Sequence, residues 1–140
     1  MKVVPSPNMG ERQPPRRPDM ILLHYTGMPD AAGAIQWLCN RVSSVSCHYV
    51  VMEDGRIFQL VPEAARAWHA GAGSWAGETD INSASIGIEI VNPGHDGGYP
   101  PFPGVQIQAV RARWRAPPPP HPPPAARVPA PSTTAPRRAG

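Results

Sequence analysis

Residues 85–92 read Ser-Ile-Gly-Ile-Glu-Ile-Val-Asn, and this stretch decides the predicted fold. Isoleucine at every second position is typical of a β-strand, in which alternate side chains share a face. We therefore predict a buried strand over Ile86–Val91 with Glu89 on the face opposite the isoleucines. A carboxylate among apolar neighbours must be paired, lie near a metal ion or face a cleft, where burial would raise its pKa toward that of a general base. The pattern is equally compatible with a solvent-facing Glu89 on a half-exposed strand.

Three further strands are predicted on the N-terminal side of this one. The apolar run Met20–Leu23 indicates a short buried strand with His24 at its C-terminal end. Val45–Met52 and Ile57–Val61 are rich in β-branched and aromatic residues, and an Asp-Gly pair between them favours a hairpin turn. Together these runs predict a small sheet.

The helical segments are fewer. Asp30 is a suitable N-cap for a helix over Ala31–Leu38, in which Ala34, Trp37 and Leu38 have the spacing of a buried stripe. Ala64–Ala70 is interpreted as a short turn or helix, and a last helix begins at Val105. Alternating strand and helix signals predict a small α/β domain.

Length and charge limit the possible functions. The chain has 140 residues and a mass of 15.0 kDa, which suits one domain. Residues 1–110 carry seven basic and ten acidic side chains, whereas residues 111–140 carry six arginines and no acid. The basic character therefore lies in the C-terminal part, and charge does not favour nucleic-acid binding by the folded part.

The predicted location is the cytoplasm, with no membrane partner. No apolar run approaches the ~18 residues of a membrane span, and the first residues lack the apolar core of a secretory signal. We accordingly expect Cys39 and Cys47 to be reduced. Nothing in the sequence indicates an oligomeric state.

The histidines are the main candidates for chemistry. His24, at a strand end, suits a metal ligand or an acid/base group, although a structural histidine bonded to a carbonyl fits as well. His69 follows Trp68 in a segment rich in glycine and tryptophan, which indicates a shaped surface for a ring or glycan, or else ordinary core anchors and a loop. His48 is interpreted as a satisfied core histidine, and His95 and His121 carry little signal.

Four ordered segments resemble a known family: residues 21–26, 46–57, 67–71 and 85–92. They are similar to the zinc-dependent N-acetylmuramoyl-L-alanine amidases of type 2, which include cell-wall-recycling amidases, a phage lysozyme and peptidoglycan recognition proteins. The resemblance covers roughly residues 18–110 and implies a mixed central sheet flanked by helices, with a zinc cleft at one edge. It also implies hydrolysis of the amide that joins N-acetylmuramic or anhydro-muramic acid to L-alanine of the stem peptide, with muropeptide or peptidoglycan fragments as partners.

The resemblance assigns roles residue by residue. His24 matches the first zinc-ligand histidine, Glu89 matches the acid that activates the zinc-bound water, and Trp68 and His69 match the substrate groove. The segment that supplies the other zinc ligands in the family has no counterpart here, and no Asp, Glu, Lys or Cys follows Asp96. We therefore expect an incomplete zinc site and impaired hydrolysis. The alternative function is a remnant that binds muropeptide without cleaving it.

The predicted domain boundaries reflect the loss of the family pattern near the C-terminal end. Residues 1–17 are an extended lead-in, residues 18–112 an amidase-like domain with an incomplete C-terminal end, and residues 113–140 a low-complexity, disordered tail. Ten of the 21 prolines lie between Pro117 and Pro136. We hypothesise a reading-frame shift near residue 110, because the family pattern, the acids and the apolar periodicity all stop there. With the last helix interrupted, we also expect exposed apolar partners and marginal stability.

Overall fold

The computed structural model describes residues 1–115. Residues 116–140, which include His121 and most of the predicted tail, lie outside the described part. The strands are β1 (Lys2–Val3), β2 (Met9–Glu11), β3 (Met20–Tyr25), β4 (Tyr49–Val51), β5 (Ile57–Gln59), β6 (Ala65–Ala67) and β7 (Ser85–Ile90). The α-helices are α1 (Ala31–Leu38), α2 (Ile81–Ala84) and α3 (Gly104–Arg113).

A mixed sheet of five strands, in the order β1-β5-β4-β7-β3, forms the centre of the molecule. β7 runs parallel to both β3 and β4, whereas β4 and β5 form an antiparallel hairpin. The backbone at Gly55 has the positive φ, +83°, that the Asp-Gly turn of this hairpin requires. The predicted α/β fold with a mixed central sheet is confirmed.

The register of β3 and β7 positions the candidate site. His24 lies beside Glu89, and Leu22 lies beside Gly87. Val50 of β4 flanks Glu89 on its other side. Because paired residues on neighbouring strands project from the same face of a sheet, His24 and Glu89 are adjacent on one face.

The two long helices cover opposite faces of the sheet. α1 begins where predicted, and the Asp30 carboxylate caps it by accepting a hydrogen bond of 2.7 Å from the Gly33 N–H. α3 packs through Ala109 and Val110 on the face that carries the β7 isoleucines. Among residues 1–115, no helix has the length and apolar character needed to span a bilayer.

The edge strand β3 leaves apolar side chains uncovered. Ile21, Leu23 and Tyr25 project from the α3 face and are 47%, 54% and 47% exposed. This exposure agrees with the expectation of exposed apolar partners, and its link to an interrupted last helix stays a prediction. Cys39 and Cys47 are both free thiols, and burial raises the pKa of each.

The predicted lead-in takes part in the packed structure. β1 adds to the central sheet beside β5, and β2 pairs with β6 in a second, two-stranded sheet. Arg12 is only 2% exposed. Its guanidinium donates to the backbone carbonyls of Glu63, Asn82, Ser83 and Ser85 at 2.7–3.1 Å. The boundary placed at residue 18 therefore does not coincide with an edge of the packed structure.

Residues 64–70 also differ from their sequence interpretation. The predicted turn or helix is wrong, because Ala65–Ala67 form β6. The partner strand, β2, lies more than fifty residues earlier in the chain. Local composition does not reveal such a distant pairing, and the alanines of this segment have no strand preference of their own.

Candidate active site

A cleft of about 190 Å³ opens on the sheet face that carries His24 and Glu89. Its lining includes Glu89 from β7, Trp37 from α1, and Trp68 and His69 from the segment after β6. A larger groove, of about 890 Å³, runs between residues 10–18 and 62–65. Its lining contains no histidine, whereas the lining of the smaller cleft includes two groups with strongly shifted pKa values, His69 and Glu89, which is typical of a functional site.

Glu89 is a half-buried acid with one fully buried carboxylate oxygen. Desolvation raises the pKa of its carboxyl to about 7. Its Oε2 atom is buried and has no hydrogen-bond partner within residues 1–115. Of the two interpretations left open by the sequence, the structure favours the one in which Glu89 faces a cleft, since the residue is half-buried and lines it. A carboxyl with a pKa near neutrality can both accept and return a proton.

His24 is held by a second histidine. Its Nε2 atom lies 3.0 Å from Nδ1 of His69. Burial lowers the pKa of His24, which favours the neutral ring. No hydrogen bond within residues 1–115 uses His24 Nδ1.

His69 has both ring nitrogens occupied. Nδ1 contacts His24, and Nε2 lies 3.1 Å from Oγ of Ser85. Burial lowers the pKa of His69 to about 3, with smaller contributions from the neighbouring histidines and arginines. The ring borders the cleft, as expected for a substrate-groove residue, but its hydrogen-bonding capacity is spent inside the protein. Its direct contact with substrate stays a prediction.

The other two histidines of residues 1–115, His48 and His95, lie in different surroundings. His48 is completely buried; its Nδ1 accepts from the Gly87 N–H at 3.0 Å, and Nε2 lies 3.0 Å from the Ala65 carbonyl. Burial lowers the pKa of His48 to about 4. This arrangement agrees with a satisfied core histidine. His95 is exposed beside Asp96, away from the cleft.

Several residues of the site were missed in the sequence. Asn82 Oδ1 accepts from the backbone N–H groups of His69 and Ala70 at 3.0 and 2.9 Å and fixes the loop. Ser85 contacts His69 directly. Gly87 provides space, because a Cβ atom there would lie 2.6 Å from His69 Nδ1. A glycine inside a strand often marks such a close approach, so this signal was available.

The buried stripe predicted for α1 is wrong at Trp37. Ala34 and Leu38 are buried as expected, but Trp37 is 48% exposed and lies at the rim of the cleft. A helical spacing identifies neighbours on one side of a helix, and the width of the buried contact decides which of them reach solvent. The cleft therefore has aromatic side chains, Trp37 and Trp68, on two elements.

A catalytic zinc ion needs three protein ligands and an open position. Within residues 1–115, no group of three or more His, Cys, Asp or Glu side chains is arranged to hold a metal ion. His24 offers one nitrogen, and Glu89 offers an unpartnered oxygen. The described residues therefore do not fit a closed zinc site.

A sequence profile described as N-acetylmuramoyl-L-alanine amidase matches residues 14–116. The chain belongs to this family. Its resemblance to the family is thereby confirmed, and the match starts within the N-terminal segment, close to the buried Arg12. The family is one of zinc amidases.

Curated relatives support the same assignment. The chain is 38% identical over 103 residues to N-acetylmuramoyl-L-alanine amidase AmiD of Escherichia coli, a match that covers 65% of this chain and 36% of AmiD. It is 31% identical over 104 residues to 1,6-anhydro-N-acetylmuramyl-L-alanine amidase AmpD of Citrobacter freundii, covering 62% and 56%. The chain thus spans about a third to just over half the length of these relatives.

Solved structures agree with the fold. A crystal structure of an AmpD derivative superimposes with a TM-score of 0.69 at 26% identity, covering 80% of this chain and 70% of that one. AmiD from E. coli, in complex with anhydro-N-acetylmuramic acid-L-Ala-D-γ-Glu-L-Lys, gives a TM-score of 0.61 at 32% identity, covering 79% and 54%.

Proposed function

We propose that this chain is an N-acetylmuramoyl-L-alanine amidase whose hydrolytic activity is impaired. The bond that it would hydrolyse is the amide between N-acetylmuramic or anhydro-muramic acid and L-alanine of the stem peptide. One observation carries the proposal: the carboxyl of Glu89, with a pKa of about 7 and an Oε2 atom that has no hydrogen-bond partner within residues 1–115, lines the cleft beside His24.

Glu89 is suited to the proton transfers of amide hydrolysis. Its carboxylate accepts a proton from a water molecule as the water oxygen attacks the carbonyl carbon. The same proton then passes to the nitrogen of the alanine as the C–N bond breaks. A carboxyl whose pKa lies near the working pH can serve in both directions, whereas an ordinary glutamate is too weak a base.

The walls of the cleft suit a muropeptide. Trp37 and Trp68 supply aromatic surface, which packs well against the apolar faces of a sugar ring. The substrate class is supported by the relatives, since AmpD is named for anhydro-muramyl-L-alanine and AmiD was solved with an anhydro-muramyl peptide. We assign Trp68 and His69 to this substrate groove.

The site is deficient in ligands for a zinc ion. Toward a zinc ion, residues 1–115 supply His24 but no cluster of three ligands. We therefore assign no catalytic step to the ion and expect this chain to hold zinc poorly. Without a bound ion to polarise the carbonyl and acidify the water, Glu89 alone leaves hydrolysis slow.

The test is a time course of hydrolysis with anhydro-N-acetylmuramic acid-L-Ala-D-γ-Glu-L-Lys, followed by mass spectrometry. We expect slow cleavage at the muramyl–alanine amide by the full chain, loss of cleavage in Glu89→Gln, and no effect of Glu53→Gln, an exposed acid in the hairpin turn. Binding without any cleavage would replace the proposal with the muropeptide-binding alternative. If a folded chain neither binds nor cleaves this substrate, both the amidase proposal and the muropeptide-binding alternative are refuted.

A further inference from the structure

The central sheet ends at β3, and the outer side of this strand is unpaired. Within residues 1–115, β3 pairs with β7 alone, and no other strand lies beside it. β3 has six residues and is as long as any strand of the described part. The backbone N–H and C=O groups along the outer side of an edge strand can pair with a strand of another chain. β3 is therefore a template for extending the sheet.

β3 also lacks the features that usually protect an edge strand. Protected edges carry charged side chains, proline or a bulge. No Asp, Glu, Lys, Arg or Pro occurs within Met20–Tyr25, and the register with β7 is continuous over all six residues. The side chains of Ile21, Leu23 and Tyr25 are about half exposed. The apolar cluster under α3 contains residues of β4 and β7 and none of β3, so α3 leaves this part of the sheet open.

A second copy of the chain suits this edge better than the residues that follow α3. Residues 116–140 contain ten prolines, and no proline-free run among them exceeds four residues. Because proline has no N–H to donate, that sequence cannot supply a strand of six paired residues. A second copy brings the same six-residue strand. Residues 1–115 carry ten basic and ten acidic side chains, so the net charge of this part does not oppose the approach of two copies.

We propose that β3 pairs with β3 of a second copy, antiparallel and with the two-fold axis at Leu23, so that the central sheet continues across a dimer. This register places Leu23 opposite its own copy and Ile21 opposite Tyr25 of the second copy. Every exposed apolar side chain of the strand then meets another one. A register centred on Leu22 would instead set Tyr25 against Asp19, whose side chain is 69% exposed.

The exposed area predicts a weak dimer. About half of each of the three apolar side chains is exposed, or on the order of 100 Å² apiece. Two copies would then bury on the order of 600 Å² of side-chain surface besides the backbone edge, whereas stable interfaces bury about 1,200–2,000 Å². We therefore expect a dissociation constant on the order of 100 μM. This association is independent of whether the chain hydrolyses muropeptides.

Sedimentation velocity of the full chain over a concentration series tests the dimer. From about 5 to about 500 μM, we expect the weight-average sedimentation coefficient to rise from the monomer value toward the dimer value. In Leu23→Lys, which sets two like charges opposite each other at the axis, we expect the monomer throughout. Val42→Lys is the matched control, because Val42 is an apolar residue that is 83% exposed and lies outside the sheet. A wild-type chain that stays monomeric, or a dimer that persists in Leu23→Lys, would overturn the proposal.

Cysteine cross-linking tests the register and does not depend on the folding of Leu23→Lys. In the proposed dimer, Leu23→Cys lies next to its own copy, whereas Ile21→Cys lies on the order of 13 Å from its copy along the strands. At about 500 μM and with diamide as the oxidant, we expect a disulfide-linked dimer of Leu23→Cys in non-reducing electrophoresis. Ile21→Cys and the wild type, which contains Cys39 and Cys47, should give little. Equal yields from the two variants, or none from Leu23→Cys, would refute the register.

Discussion

Replacing Glu89 with glutamine should stabilise the folded chain at alkaline pH. In the unfolded chain this carboxyl has a pKa near 4.5, whereas desolvation raises it to about 7 in the folded structure. Each tenfold change in an ionisation constant corresponds to about 1.4 kcal/mol, so the ionised carboxylate destabilises the folded state by about 3 kcal/mol. The folded state binds this proton more tightly. The stabilising contribution of this group is therefore fully present below pH 4.5 and is lost as the pH rises toward about 7.

The assay is urea unfolding of both proteins at a series of pH values, followed by circular dichroism. We expect Glu89→Gln to exceed the wild type by about 3 kcal/mol near about pH 8, with the advantage vanishing near about pH 4. Glu53→Gln, which alters an exposed carboxylate, controls for the general loss of one negative charge. Parallel stability curves for Glu89→Gln and the wild type would refute the claim that the Glu89 carboxyl is desolvated in the folded chain.

Three further predictions concern the surroundings of the site. Arg12→Ala removes the donor to four backbone carbonyls in a buried position. It should lower the free energy of unfolding by on the order of 3 kcal/mol in urea titrations. A loss below about 1 kcal/mol would show that the N-terminal segment is not an integral part of the fold. Gly87→Ala forces the His69 ring aside and should cost about 1–3 kcal/mol in the same titrations, whereas Gly73→Ala, with open space around it, should cost less; equal losses would argue against close packing at Gly87. After exposure to zinc and buffer exchange, the full chain should retain well under one equivalent by elemental analysis, and one tightly held zinc per chain would contradict this expectation.

The strands of the site follow from local pattern. The alternation around Glu89 predicts both the strand and the side on which the acid lies, because a period of two has only one structural solution. The helix after Asp30 is equally predictable, since a cap and a suitable composition coincide. The adjacency of His24 and Glu89 needs the pairing of β3 with β7, which neither segment predicts alone.

Other features depend on distant parts of the chain. Arg12 is buried because carbonyl groups near residues 63 and 82–85 converge on it, and no local pattern records that convergence. β6 exists because β2 pairs with it. The contact between His69 and His24 requires a glycine on a third segment to make room, so only the assembled sheet reveals it.

The most direct test of the account is to locate the muropeptide on the protein. The Glu89→Gln variant of the full chain, which should not cleave the ligand, is titrated with anhydro-N-acetylmuramic acid-L-Ala-D-γ-Glu-L-Lys while backbone ¹H–¹⁵N spectra are recorded. The account predicts saturable shifts centred on His24, Trp68, His69 and residue 89. Shifts confined to the larger groove between residues 10–18 and 62–65, or no shifts from a folded protein, would contradict the claim that this cleft is the muropeptide site.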